Sequence, residues 1–255
     1  MSSYIGRHAE LYDLFYKDKP YEQEASFIDQ CIKKYGIGSS KRLLELACGT
    51  GSHAFALERL GYKVTATDYS EDMLNCARLK AAKISSSVDF QCQDMRKLDL
   101  PDKRFDVAIC LFDSIGYVAT NEALKNVFEG VYKRLRDGGL FIFEFWHAAA
   151  MLCGYDPLRI RRWQTPNGEI LRISETSLES ARQLAIVAYT IYELRKDGTY
   201  SCVEETQINR YFLMQEMAGF LSFSSFKPKK WFAGYTECED INEDTWHILA
   251  VAQRL

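Results

Sequence analysis

The residues of this chain best equipped for chemistry lie in one short run, Leu43-Leu44-Glu45-Leu46-Ala47-Cys48-Gly49-Thr50-Gly51-Ser52-His53, and in two acidic positions downstream of it. An apolar strand there runs into a Gly-x-Gly turn that opens a helix, and small residues at such a turn let backbone approach a ligand closely. Taken alone, Gly49-x-Gly51-x-x-Ala54 fits a dinucleotide fingerprint, with Asp68 near the distance at which an acid grips a ribose. The turn therefore leaves a dinucleotide and another nucleoside ligand both open. Glu45 helps to separate them, because a carboxylate just ahead of the turn repels a pyrophosphate but suits a ligand bearing an ammonium and a sulfonium. Gln93-Asp94-Met95 adds a carboxylate able to accept from an adenine amino group and a methionine able to cover the ring. The set describes an adenosine with a positively charged amino-acid tail.

These residues need strands that end at a common edge. From Lys41 to Trp146 short β-rich runs alternate with helical stretches, the pattern of a parallel sheet covered by helices. Strands are expected at Arg42–Ala47, Lys63–Asp68, Val88–Gln91, Asp106–Leu111 and Leu140–Trp146, with helices at Ser52–Leu60, Glu71–Lys83 and Asn121–Arg136. Asp137-Gly138-Gly139 reads as a helix stop. The fold class expected is α/β, Rossmann-like and doubly wound. After Gly154 the character changes: Asn167-Gly168 and Asp197-Gly198 each sit between runs rich in Ile, Val, Thr and Tyr, a hairpin signal. The division expected is an N-terminal helical segment (1–40), a binding core (41–154), an antiparallel β insertion (155–209) and a closing segment (210–255). The closing segment holds a helix near Leu213–Leu221 and strands at Phe223–Gly234 and Trp246–Ala252. Tyr21–Tyr35 should form an amphipathic helix after the aromatic run Leu11-Tyr12-Asp13-Leu14-Phe15-Tyr16.

Bulk properties narrow the class of ligand. The chain has 255 residues, 47% of them hydrophobic, and 32 basic against 35 acidic residues leave a net charge of −3. That balance lacks the electrostatic footprint of a nucleic-acid binder. No stretch approaches the roughly 18 apolar residues needed to span a bilayer, so a cytoplasmic location is expected, with no membrane partner. Eight singly scattered cysteines read as reduced thiols, mostly buried. None of the four histidines belongs to a metal-ligand spacing, and no metal is expected.

The constellation resembles the class I S-adenosylmethionine-dependent methyltransferases, whose first motif the loop Glu45-Leu-Ala-Cys-Gly-Thr-Gly51 matches nearly letter for letter. The resemblance implies a seven-stranded sheet with an antiparallel last strand and S-adenosyl-L-methionine as cofactor. By that resemblance Ala47, Gly49 and Gly51 line the methionine and ribose side, Asp68 accepts the ribose hydroxyls, and Tyr21 and Glu45 also count among the cofactor-binding residues. Tyr69 and Met73 flank the adenine, Asp94 and Met95 read it, and Leu111 closes the fourth-strand side. The Leu11–Tyr16 run, Tyr21-x-x-Glu24, Phe112-Asp113-Ser114-Ile115-Gly116-Tyr117 and the hairpin insertion look like the branch holding the amino-sugar N-methyltransferases. In that branch the residue matching Tyr16 lies near the transferring methyl. This chain departs from it at Asp113, where Ser is frequent, and at Phe145-Trp146-His147, where Pro-Trp-Trp is.

Ligands of open α/β sheets sit beyond the carboxyl ends of the strands. Phe112, Asp113, Ser114 and Trp146 are therefore expected to line an acceptor pocket, with Tyr16, Tyr117 and His147 as catalytic candidates and Asp113 as a further possible base. The missing Asn/Asp/Ser-Pro-Pro-aromatic run of DNA-base amino methylases again disfavours nucleic acid. The chemistry expected is in-line displacement at the sulfonium methyl by a small-molecule nucleophile, in a monomer or homodimer. A nucleotide-dependent oxidoreductase and a non-catalytic cofactor-binding or protein-interaction module are the competing classes.

Overall fold

Continuous apolar runs in the central strands, more than any single motif, determine how the chain layers. A computed structural model describes residues 4–39, 41–100, 104–238 and 240–255. Its larger sheet holds β1 (Arg42–Leu46), β2 (Lys63–Asp68), β3 (Asp89–Cys92), β4 (Phe105–Cys110), β5 (Leu135–Trp146), β10 (Phe226–Ala233) and β11 (His247–Arg254). Their order is β10-β11-β5-β4-β1-β2-β3, and β11 alone runs against its neighbours. The seven-stranded doubly wound expectation is thus met. Central strands buried on both faces read as continuous apolar runs. Leu43, Val107, Ile109, Leu140 and Ile142 pack with α2 (Tyr21–Tyr35) and α3 (Ser52–Arg59). Their neighbours Leu44, Ala108, Phe141 and Phe143 face α5 (Asn121–Arg134) and α7 (Met214–Phe223) instead.

Local chemistry sets most helix starts. Ser70 caps α4 (Glu71–Ile84) by accepting from the Met73 N–H, and Thr120 caps α5 through Ala123. At the far end of α5 the expectation is off by two residues, and β5 starts five residues early, at Leu135. Asp137-Gly138-Gly139 does not stop the helix; it forms an irregularity inside β5, where Phe105 pairs with Leu135 and Val107 already with Leu140. The aromatic run Leu11–Tyr16 falls largely within a further helix, α1 (Gly6–Phe15).

Between α6 (Ala148–Gly154) and α7 lies a four-stranded antiparallel meander, β6 (Leu158–Thr165), β7 (Gly168–Glu179), β8 (Leu184–Arg195) and β9 (Tyr200–Arg210). Asn167 and Gly168 stand at the β6–β7 turn, and Asp197 and Gly198 between β8 and β9, as the dipeptides foretell. One compositional expectation fails: Cys92, Cys153, Cys202 and Cys238 are exposed, and only Cys31, Cys48 and Cys110 are buried. Cys202 and Cys153 sit on the insertion and its approach, where the thin meander offers little interior. No helix among the described residues is long and apolar enough to cross a membrane.

Candidate active site at the switch point of the sheet

Strand order reverses between β1 and β4, and at such a switch point the two outgoing loops diverge and leave a crevice. Both loops begin with left-handed backbone. Ala47 after β1 has φ 50°, and Phe112 and Asp113 after β4 have φ 54° and 55°. Non-glycine residues in this region cost about 1–3 kcal/mol each, so surrounding contacts must hold them. For the β4 loop that contact is Glu144 on β5, whose Oε2 accepts from the Phe112 N–H at 2.7 Å and from the Tyr235 hydroxyl at 2.7 Å.

Two adjoining spaces open here. A small cleft of about 20 Å³ lies among Tyr21, Glu45, Cys48, Thr50, His53 and Leu111. It shares Tyr12, Ala47, Phe112 and Ser114 with a cavity of about 1110 Å³, slightly larger than the usual small-molecule site. Of the residues singled out in the sequence, Tyr16, Gly49, Asp68, Tyr69, Met73, Asp94, Met95, Asp113, Tyr117 and Trp146 line the cavity. Gly51 lines neither space. It takes φ 80° at the start of α3, and a Cβ there would meet the Phe90 ring at 2.8 Å, so its role is to shape the turn.

The acids along the crevice differ in how they are satisfied. Glu45 is 2% exposed, and its Oε2 is buried with no hydrogen-bond partner among the described residues. Burial, and then the charge of Asp68, push its pKa up to about 8. Asp68 accepts from the Gly49 N–H at 2.8 Å and the Ser70 N–H at 2.9 Å, and burial nonetheless holds its carboxyl above the usual range. At Asp94 burial works upward too, but hydrogen bonds from Arg96 outweigh it and keep the pKa low.

The acceptor end contains residues that the sequence reading did not bring together. His247 Nδ1 lies 2.8 Å from Asp113 Oδ2 and 3.3 Å from Glu144 Oε1. Burial opposes a charge on the ring, but Asp113 and then Glu144 prevail and raise its pKa well above the ordinary imidazole value. A proton on His247 thereby binds three groups that also have the donor types of a metal site. Asp113, raised to about 6 by burial and then by Glu144, keeps its Oδ1 buried and without a hydrogen-bond partner among the described residues. His147, by contrast, lines neither space; it precedes α6 with Nδ1 3.2 Å from the Thr245 carbonyl.

Helix α1 roofs the cavity. Asp13 accepts from the Thr50 hydroxyl at 2.6 Å and pairs with Lys80 at 2.8 Å, fastening α1 to the glycine turn. Arg7 pairs with Glu193, and His8 lies 3.0 Å from Glu205, fastening it to the insertion. The Tyr16 ring stands edge-on to Phe112 at 5.0 Å, and the Tyr4 and Tyr117 hydroxyls share a hydrogen bond of 2.7 Å. Burial, then Tyr189, lifts the Tyr117 pKa far above a free phenol's. Gly116 between these elements is a close approach: a Cβ would fall 1.7 Å from Asn209 Oδ1 and 2.8 Å from the Arg210 carbonyl oxygen. Gly116→Ala should therefore cost about 1–3 kcal/mol or more by overpacking, read as a lower denaturant midpoint with unchanged slope; an unaltered midpoint contradicts the contact.

Fold and site together define an α/β protein with an acid-lined crevice at its switch point. Residues 43–139 match the family described as "Methyltransferase domain". A putative methyltransferase of Bacillus subtilis (strain 168) is 27% identical over 91% of this chain and 90% of its own. The dTDP-3-amino-3,4,6-trideoxy-alpha-D-glucopyranose N,N-dimethyltransferase of Streptomyces venezuelae is 33% identical over 54% of this chain, and the chain spans 57% of that protein. At 33% identity the chain spans only about half the length of the curated relatives it matches. An S-adenosylmethionine-dependent methyltransferase structure from Clostridium acetobutylicum superposes with TM-score 0.82 at 22% identity, covering 96% of this chain and 97% of that one. The chain has the fold of that methyltransferase structure and over residues 43–139 matches a methyltransferase domain, which favours the methyltransferase reading of its glycine turn over the dinucleotide one.

Proposed function

We propose that the chain moves the methyl group of S-adenosylmethionine to a nitrogen of a small-molecule acceptor by in-line displacement. The observation carrying this reading is the buried, unpartnered Glu45 Oε2 at the head of the cleft, a carboxyl that a cationic methionine tail would satisfy. In the arrangement we infer, Tyr21, Ala47, Gly49 and Leu111 surround that tail, Asp68 takes the ribose, and Tyr69, Met73, Asp94 and Met95 hold the adenine. Phe112, Asp113, Ser114 and Trp146 then face the acceptor. Nitrogen is favoured by relatives named for dimethylating dTDP-linked amino sugars.

The amine lone pair attacks the methyl carbon, the carbon–sulfur bond breaks, and its electrons leave a neutral thioether. Because the leaving group is already activated, rate comes mostly from alignment and exclusion of water, which can contribute about 7–11 kcal/mol. Tyr16 and Tyr117 contribute position. Tyr117, held neutral, donates or accepts a hydrogen bond but is poorly suited to remove a proton. That task falls to Asp113.

Calorimetric titration with S-adenosylmethionine, S-adenosylhomocysteine and NADH tests the cofactor assignment. Affinity for the first two and none for NADH is expected; no binding, or a preference for NADH, overturns it. The Glu45 pKa adds a pH signature. Below about 8 this acid holds a proton that a cationic ligand must displace, so affinity should climb by up to about tenfold per pH unit from pH 6 toward 8. Glu45→Gln should bind weakly and lose that slope, whereas a flat wild-type profile would discard the Glu45–ammonium pairing.

A further inference from the structure

The insertion brings to the cavity a cation that no carboxylate among the described residues pairs with in a salt bridge. Arg172 on β7 is 5% exposed, and its Nε and Nη1 are buried without a hydrogen-bond partner among the described residues. Its guanidinium carbon lies 4.7 Å from the Phe15 ring centroid, 5.3 Å from Trp163, 5.4 Å from Tyr189 and 5.6 Å from Tyr16. Aromatic faces attract a cation but leave its in-plane donors open. A buried guanidinium with open donors fits a protein whose ligand supplies the counter-charge.

The strand register is an independent sign of the same thing. Arg161 on β6 stands directly opposite Arg172, and Arg159, two residues earlier, shares its face. All three line the cavity. Like charges directly opposite each other destabilise a sheet, so this face is better suited to binding an anion than to supporting the insertion. At the sheet edge of the cavity stand Asp68, Asp113 and an Asp94 paired with Arg96, and at the insertion Arg161 and Arg172 stand beside Arg159, which Asp156 meets at 3.3 Å.

We propose that β6 and β7 form an anion receptor, and that the methyl acceptor carries a phosphate or carboxylate group that Arg172 binds with paired hydrogen bonds and Arg161 supplements. This rests on reading the cavity as the acceptor site. It makes Arg172 a specificity-determining residue: the anion is anchored at the insertion, and the nucleophile is presented to the methyl beside Asp113.

Calorimetry on the whole chain at constant ionic strength, with sodium pyrophosphate in one arm and citrate in the other, tests it. Saturable binding of pyrophosphate identifies a phosphoryl handle and of citrate a carboxylate one. Arg172→Met should raise the dissociation constant of that anion about tenfold or more, while its affinity for S-adenosylhomocysteine stays within about twofold of wild type. Should Arg172→Met disturb the sheet, Arg161→Ala at the exposed position should raise the same constant about three- to tenfold. Neither anion binding up to concentrations on the order of 10 mM, or equal affinity in wild type and both variants, overturns the proposal. Failure of wild type to bind S-adenosylhomocysteine while anion binding persists would instead remove the cofactor reading.

Discussion

Asp68→Ala is expected to weaken binding of S-adenosylmethionine and S-adenosylhomocysteine by about ten- to a hundredfold. Hydrogen bonds to a charged group are worth about 1.5–3 kcal/mol, and each 1.4 kcal/mol is a factor of ten in affinity. Asp68 closes β2 at 7% exposure, with one oxygen committed to the Gly49 N–H and the other to the Ser70 N–H. The Tyr69 N–H also stabilises the charged form, and a carboxylate, with about four acceptor sites, keeps capacity for a ribose hydroxyl. The two N–H bonds fix the carboxylate plane before any ligand arrives. Burial raises the cost of that charge, and ribose donors would relieve it. The alanine variant also strips a buried N–H from the glycine turn, so some thermal stability should go with it. Asp68→Asn separates the two effects: one amide oxygen can still accept from Gly49, and the amide nitrogen cannot accept from a ribose. Loss of affinity in both variants supports the ribose assignment, and wild-type affinity in either rejects it.

How far the sequence shows this site depends on how far apart its parts lie along the chain. Glu45, Ala47, Gly49 and Asp68 are legible because a strand followed immediately by a turn fixes their geometry locally. The insertion is legible for the same reason, since two hairpin dipeptides place its turns. Which face of the meander meets the cavity is a tertiary fact, and Arg172 is not visible as a site residue without it. Glu144 did leave a signal, a charge within the apolar run Leu140–Trp146, but pattern alone does not say what it touches.

The histidines show the limit most sharply. Side chains alternate along a strand, so when Trp146 faces the cavity His147 turns away from it. The antiparallel last strand then pairs His247 with Trp146 and delivers a histidine to the edge where His147 was expected. The structure thus places His247, not His147, beside the cavity at that edge. Parity at a strand terminus is set by a partner strand one hundred residues away, which no local pattern encodes.

That replacement bears directly on the proton. With an amine acceptor, Asp113→Asn is expected to lower kcat by about a hundredfold or more, in the range general-base removal typically gives. Asn keeps the side chain's shape and can still face His247 in the strained loop, so folding should survive. The pH profile carries the finer test. A base must be deprotonated to work, so wild-type kcat should fall as pH drops through about 6, the Asp113 value. The apparent value belongs to the trio, because Asp113, Glu144 and His247 titrate together. Removing the imidazolium by His247→Gln takes away a charge that favours the Asp113 carboxylate, so the acid limb should move to higher pH. A merely structural role for His247 would lower activity without moving the limb. If Asp113→Asn, Tyr16→Phe and Tyr117→Phe each leave turnover within about twofold, none of the three serves as base, and the Asp113 assignment falls.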